Sequence, residues 1–307
     1  MIKRYRREFF ACFLLICIAV GVFLVRGLGD SSTDTQAPPQ TTYPQTPEYA
    51  AYPVTAGDVH RGTLLLVNGE NPYRFDEDVD LISVFEHKNS FYQVKDTLLS
   101  VRREIMEPLN DMLGDFYNER KNKTLIIISG HRTYDLQQSL FNDKLDSDGA
   151  VEAAKWVAQP GMSEHHTGLA LDFSIYFADT GLSESYDGTG DFEWINSNAY
   201  KYGFVLRYAE DKKAVTGIYY EPWHFRYVGL PHSHIMAQKR LCLEEYIDYL
   251  RENTSAEEPL ETKLSGSEYA VYYAAYESEG NVPVPSGAAV SVSGNNVDGF
   301  IVTAYKN

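Results

Sequence analysis

The sequence predicts an α+β domain with an apolar membrane helix and a polar stalk in front of it and a small β appendage behind. Three observations lead there. Runs with helical spacing, about 94–120 and 134–145, alternate with short apolar runs of strand length at 125–129 and 169–175. Ahead of them stand an uncharged run from Phe9 to Val25 and a stretch poor in aliphatic residues that lasts to about Gly57. Past Arg251 the composition shifts to Glu, Thr and Ser around two aromatic or β-branched runs, 269–276 and 300–305. The expected segments are 1–26, 27–57, 58–252 and 253–307.

The chain opens on Met-Ile-Lys-Arg-Tyr-Arg-Arg-Glu, and the 17 uncharged residues that follow would make a helix about 26 Å long. That length is at the lower edge of what spans a bilayer. The basic flank places the amino terminus in the cytoplasm. A cleaved signal peptide is the rival reading, but Val25-Arg26-Gly27-Leu28-Gly29 is a poor cleavage site. Cys17 also lacks the small residue before it that a lipoprotein site requires. The segment is therefore read as an uncleaved signal anchor, single-pass in the cell membrane, with the catalytic domain extracellular. Residues 27–57, rich in Pro, Thr, Gln and Ser, cannot bury enough surface to fold and read as a disordered stalk.

Charge narrows the partners. The whole chain carries a net charge of −16; residues 1–26 hold five basic side chains and one acidic, leaving 22 basic against 42 acidic, a net −20. That balance argues against nucleic acid or an anionic lipid surface as a partner of the folded domain. Cys12 and Cys17 lie in the apolar run, which leaves Cys242 alone and allows no intramolecular disulfide outside the membrane.

The folded domain begins near Arg61. Thr63 to Asn68 reads as a strand or buried run, and Asn71-Pro72 as a turn. Residues from about Val94 to Arg120 read as amphipathic helix, kinked or divided by Pro108. Leu125 to Ser129 is a β-branched strand that delivers Arg132 to its end, and a helix follows from Tyr134 to about Leu145. A loop region carries Asp179-Thr180-Gly181 and Asp187-Gly188-Thr189-Gly190. Phe192 to Tyr202 reads as helix ending at Gly203, Phe204 to Tyr208 as strand, and Leu243 to Leu250 as helix. His232 and His234 read as surface or supporting residues.

Two stretches concentrate the chemistry. Ser163-Glu164-His165-His166-Thr167-Gly168-Leu169-Ala170-Leu171-Asp172 and Glu221-Pro222-Trp223-His224 supply imidazoles and carboxylates, the donors that first-row divalent metals prefer. His165, Asp172 and His224 would fill the three protein positions of a catalytic zinc, with Glu221 left free to handle a proton. Each residue alone is weak: a lone His on an apolar segment is more often a core residue, and Glu-x-x-His is common by chance. Asp172 is more telling, because it sits in the apolar run Leu-Ala-Leu-Asp-Phe-Ser-Ile. A carboxylate buried there needs a partner, either a metal or an Arg. His166 competes with His165; if it lies in a strand, its side chain points the opposite way.

The pattern Ser-x-His-x-x-Gly-x-Ala-x-Asp at 163–172 followed by Glu-Pro-Trp-His at 221–224 resembles the VanY-type zinc D-alanyl-D-alanine carboxypeptidases. The likeness extends to Ser129-Gly130-His131-Arg132-Thr133-Tyr134-Asp135-Leu136-Gln137, to Tyr202–Tyr208 and to His224–Gly229, covering roughly residues 60–252. One departure is His131, where the family usually carries Tyr. The resemblance implies a mixed, largely antiparallel sheet flanked by helices, of the Hedgehog and DD-peptidase type. It implies Zn2+ held by His165, Asp172 and His224, with Glu221 as base. Arg132 would engage the substrate's terminal carboxylate and Gln137 and Ser163 would help hold the peptide. A bidentate guanidinium suits a carboxylate. The implied substrate is the D-Ala-D-Ala end of peptidoglycan stem peptides. The alternatives are an L,D-carboxypeptidase acting on tetrapeptide stems and a zinc-stabilised cell-wall binding module without catalysis.

Overall fold

A computed structural model describes residues 48–75, 79–277 and 280–306. The expected membrane helix, Phe9 to Val25, and residues 27–47 of the stalk lie outside these residues. Among the described residues no helix is long and apolar enough to cross a membrane. Tyr49–Pro53, inside the stretch read as stalk, forms a strand (β1). Tyr49 packs against the C-terminal core while the strand's other residues are exposed, and its partner strand lies more than two hundred residues away. Leu64–Val67 is buried as expected but pairs in no sheet.

The helix expected over 94–120 is half right. Leu81–Ser83 (β2), a single helical turn at Val84–His87 (α1), Gln93–Val94 (β3) and Ser100–Arg102 (β4) precede it, and the helix proper is Met106–Arg120 (α2). The apolar residues before Met106, such as Val101 and Ile105, reach the core from a strand and a short 3-10 turn, which mimics helical spacing. Pro108 lies in the first turn of α2, where an absent N–H removes no intrahelical bond, so the helix is neither kinked nor divided. Leu109, Met112, Leu113 and Phe116 make its buried stripe. Each such side chain contributes about 1.5–3 kcal/mol on burial.

Leu125–Ser129 (β5) leads to Tyr134–Asp148 (α3), capped by Thr133, whose hydroxyl accepts from the Leu136 N–H. Ala150–Trp156 (α4) follows directly. Ala170–Phe177 (β6) is the central strand. After it come Leu182–Ser185 (β7), Glu193–Asn198 (α5), Phe204–Leu206 (β8), a short turn at Lys213–Thr216 (α6) and His224–Tyr227 (β9). The 3-10 turn after α5 ends at Gly203, left-handed at φ 87°, as the sequence suggested. The sheet order is β3-β5-β6-β9-β8, with β7 beside the second half of β6. Every pairing is antiparallel except β3 with β5. This is the mixed, largely antiparallel α+β arrangement expected. Leu171, Phe173 and Phe225 of the sheet pack in one core with α2 and α5.

His232–Lys239 (α7) and Leu243–Asn253 (α8) lead into strands Leu260–Leu264 (β10), Ser267–Ala275 (β11), Asn281–Pro285 (β12), Ala289–Gly294 (β13) and Gly299–Lys306 (β14). The order β10-β11-β14-β13 makes a four-stranded sheet, and β12 pairs with β1. The expectation of a small β appendage built around two runs falls short. Polar β10 and proline-containing β12 do not read as strands locally, yet both pair. The sheet is buried on both faces: Val271 and Ile301 pack with Tyr246, Ile247 and Leu250 of α8, whereas Tyr272, Phe300 and Val302 pack with Val282 and Val54. His232 is a further correction. It is buried, with Nδ1 2.8 Å from the Tyr246 hydroxyl and Nε2 3.0 Å from Thr303 Oγ1, and so joins α7 to α8 and β14.

Candidate metal centre

Strand register assembles the site. Asp172 on β6 is paired with Ser129 on β5 and with His224 on β9. Residues directly opposite in an antiparallel pair place their side chains on one face, with Cβ atoms about 4.5–5.5 Å apart. His165 arrives from the 3-10 turn Glu164–Thr167 just before β6. Gly168 ends that turn at φ 70°, where an added Cβ would stand 2.9 Å from Leu81 Cδ2. Ser163 opens the same turn, its hydroxyl accepting from the His165 N–H at 3.4 Å.

The ligand-type atoms of His165, Asp172 and His224 all lie within 4.8 Å of one another, and all three residues are buried. His165 Nε2 is 3.2 Å from Asp172 Oδ2, and His224 Nδ1 is 3.0 Å from Asp172 Oδ1. Donors on a tetrahedral zinc at about 2.0–2.1 Å sit roughly 3.3 Å apart, so the spacing suits that ion. His165 donates Nδ1–H to the Gly130 carbonyl at 2.7 Å, which leaves the Nε2 lone pair facing Asp172. Asp172 Oδ1 is buried and, despite its closeness to His224, makes no aligned hydrogen bond. An orphaned carboxylate oxygen beside the His224 imidazole is what a cation would satisfy.

The charges agree. Burial lowers His165, with Arg132 adding to the effect, to about 4, so the ring is neutral. Burial works against protonation of His224 too, but its contacts with Asp172 and Glu164 outweigh it and raise the group to about 9. Asp172 stays ionised because contacts with His165 and Arg132 overcome its burial.

His166 takes no part. Its Nδ1–H donates to the Arg132 carbonyl at 2.8 Å and its Nε2 accepts from the Gly161 N–H at 3.0 Å. The expected reason, strand alternation, is replaced by a 3-10 turn that sends the two rings apart. Glu221, in the turn before β9, is buried outside the donor set, with Oε2 3.8 Å from His224 Nδ1. Burial pushes its carboxyl up to about 7.

Arg132 shows that the two partners weighed for Asp172 are both present. Its Nη2 donates to Asp172 Oδ2 at 2.5 Å, Nε to Ser129 Oγ at 2.9 Å and Nη1 to Gln137 Oε1 at 3.3 Å. One N–H on each Nη remains for another acceptor. Gln137 is buried and its amide donates to the Ala158 carbonyl, so it braces Arg132 from behind. Arg132, Gln137, His165, Asp172, Glu221 and His224 border one cavity of about 590 Å³, walled by Trp156, Tyr208, Ile218 and Trp223.

Sequence reasoning missed three contributors. Ser129 supports Arg132, the Gly130 carbonyl orients His165, and Glu164 lies beneath His224. Glu164 Oε1 accepts from Arg207 Nε and Arg226 Nη1 at 2.8 and 2.9 Å. These two arginines are wholly buried and committed to Glu164. All three contributors stand inside the quoted motifs, but only the fold turns adjacency into contact.

Residues 98–230 match the family model described as D-alanyl-D-alanine carboxypeptidase, VanY. A D-alanyl-D-alanine carboxypeptidase of Enterococcus faecium is 37% identical over 256 residues, 82% of this chain and 78% of that protein. Among solved structures, the vancomycin-resistance D,D-dipeptidase VanXYg, in complex with a D-Ala-D-Ala phosphinate analogue, superposes with a TM-score of 0.74 at 28% identity. It covers 84% of this chain and 100% of its own. The LdcB LD-carboxypeptidase gives 0.51 at 34% identity over 60% of this chain and 84% of its own. The same residues that converge on the cavity fall within the matched region, and the chain belongs to the VanY family of D-alanyl-D-alanine carboxypeptidases.

Proposed function

We propose that this chain is a zinc-dependent carboxypeptidase that removes the terminal D-Ala from peptidoglycan stem peptides ending in D-Ala-D-Ala. One observation carries the reading: a three-donor set, a buried carboxylate outside it and a cation with free N–H groups share a single cavity. The family supplies the substrate class.

In this proposal His165, Asp172 and His224 hold the metal. A zinc ion there would supply Lewis-acid activation of water and of the scissile carbonyl. Glu221 Oε2 takes the proton of the attacking water and delivers it to the departing amine. Burial raises this carboxyl above the ordinary range, which favours its taking up the water's proton. Arg132 offers its two remaining N–H groups to the terminal carboxylate of the substrate, which fixes the scissile bond over Glu221. Ser129, Gln137 and Asp172 hold the guanidinium for that task, and Ser163, which lines the same cavity and caps the His165 turn, helps hold the peptide.

The resemblance to an LD-carboxypeptidase keeps L,D-specificity as the rival. Purified protein incubated with a pentapeptide ending in D-Ala-D-Ala and a tetrapeptide ending in a single D-Ala decides between them. Release of D-Ala from the pentapeptide alone is expected, with about one zinc per chain by elemental analysis. Release only from the tetrapeptide would make the enzyme an L,D-carboxypeptidase, and none from either would favour a binding module. The basic flank and apolar run further support an extracellular domain anchored by residues 1–26. Amino-terminal sequencing of membrane-fraction protein tests this, and a mature chain beginning within 27–57 would refute it.

A further inference from the structure

The His224 ring is held between two carboxylates that are held very differently. On the Nδ1 side stands Asp172 Oδ1, at 3.0 Å. On the Nε2 side stands Glu164 Oε2, at 3.5 Å. Glu164 has no exposed side-chain surface, and neither its Oε2 nor His224 Nε2 has another hydrogen-bond partner. A buried carboxylate oxygen left without aligned donors is costly, and here it is aimed at one ring nitrogen.

The other oxygen of Glu164 is fixed in place. Arg207 Nε and Arg226 Nη1 both donate to Oε1. Arg207 extends a second, two-pronged contact to Glu244 at the start of α8, at 2.9 and 2.7 Å. Arg226 donates from Nη2 to the carbonyls of Thr63 and Leu65 and from Nε to that of Tyr227. Two arginines therefore face two glutamates, a balanced buried set tied to a strand, a helix and the Leu64–Val67 run. Such a set holds Glu164 still, and the one acceptor it leaves over faces His224.

We propose that Glu164 is a positioning residue: it accepts Nε2–H from His224 and so keeps the Nδ1 lone pair turned toward the metal donors. The inference rests on His224 being a metal ligand. Ligating histidines commonly donate their second N–H to a carboxylate, and loss of such a partner weakens metal binding about 10–100-fold. In Glu164→Gln, the amide oxygen is drawn to the two arginines. Its NH2 then faces Nε2, which favours the opposite tautomer, with the proton on Nδ1.

The test is zinc affinity by chelator competition, measured on full-length protein. Glu164→Gln should raise the zinc dissociation constant about 10–100-fold. As a control for general destabilisation, Leu250→Ala opens the core against α8 and should lower the thermal midpoint while leaving zinc affinity within about twofold. A folded Glu164→Gln variant that binds zinc as wild type does would overturn the proposal. Should that variant not fold, long-range 1H–15N spectra of zinc-loaded wild type decide the matter. A proton on His224 Nε2 is expected, and a proton on Nδ1 refutes it. Wild type that binds no stoichiometric zinc would refute the metal-centre reading itself, and this inference with it; intact zinc binding that ignores Glu164 refutes this inference alone.

Discussion

Replacing Glu221 by Gln changes one atom in a buried side chain and should separate catalysis from metal binding. The carboxylate is outside the donor set, so zinc content should be unchanged. Turnover should fall by the factor a general base supplies, about 10² to 10⁴, or roughly 2.7–5.5 kcal/mol of barrier. The pH profile sharpens the claim. Burial places the metal-free carboxyl near 7; a group there is half ionised at pH 7 and about one per cent ionised at pH 5, which sets an upper bound of about fiftyfold on the acid loss in kcat/KM. A bound dication lowers that group, so the acid limb of the loaded enzyme should fall at or below pH 7. Stability should move the other way. A carboxyl raised from 4.5 to about 7 loses stability as pH rises from the unfolded value through the folded one, about 3 kcal/mol in all. Metal-free Glu221→Gln should therefore melt higher than metal-free wild type at pH 8 and nearly level with it at pH 4.5. The assays are D-Ala release from pH 4.5 to 9, elemental zinc and thermal melts. Activity within tenfold of wild type, an unchanged acid limb, or loss of zinc would each refute the role given to Glu221.

Three further expectations follow from the geometry. Wild type should discriminate strongly against a peptide capped as its C-terminal amide, and Arg132→Ala should lose most of that preference; a mutant that still prefers the free acid as wild type does makes Arg132 structural. Gly130→Ala would place a Cβ 2.4 Å from the Ser100 carbonyl and shift the Gly130 oxygen that orients His165, so zinc affinity should drop at least tenfold by chelator titration. Burial lowers His232 to about 3, so the fold keeps it neutral while the unfolded chain protonates it below about 6.5. Stability is then complete above pH 6.5 and falls by about 2 kcal/mol at pH 5. Urea midpoints at pH 7 and 5 should converge in His232→Gln, and an equal loss in both proteins would clear His232 of that role.

Much of the centre was legible because its residues are close in sequence and sit in an informative context. Asp172 in an apolar strand announced a buried partner, and Gly168 and Gly203 marked where turns must end. What escaped was decided by pairing across distance. The choice between a metal and an Arg for Asp172 could not be made from the run itself, since Arg132 reaches it from the end of a neighbouring strand. Tyr49–Pro53 has the composition of a linker and becomes a strand only because Asn281–Pro285 lies alongside. The residues 94–105 show helical spacing, yet their apolar side chains meet the core from two short strands, a loop and a 3-10 turn, which periodicity cannot distinguish. His232 read as peripheral because neither Tyr246 nor Thr303 is near it along the chain.

The ladder between β1 and β12 also sets how the molecule bears load. Five residues are paired there, and the Glu48 carbonyl and Val54 N–H extend the contact at either end. A pull applied at Glu48 spreads first into β12 and the sheet behind it. Only past Val54 does tension travel toward Leu64–Val67, whose carbonyl grips Arg226 beneath the ligands. The C-terminal strands thus act as a strain relief between Glu48 and the strands that carry Asp172 and His224.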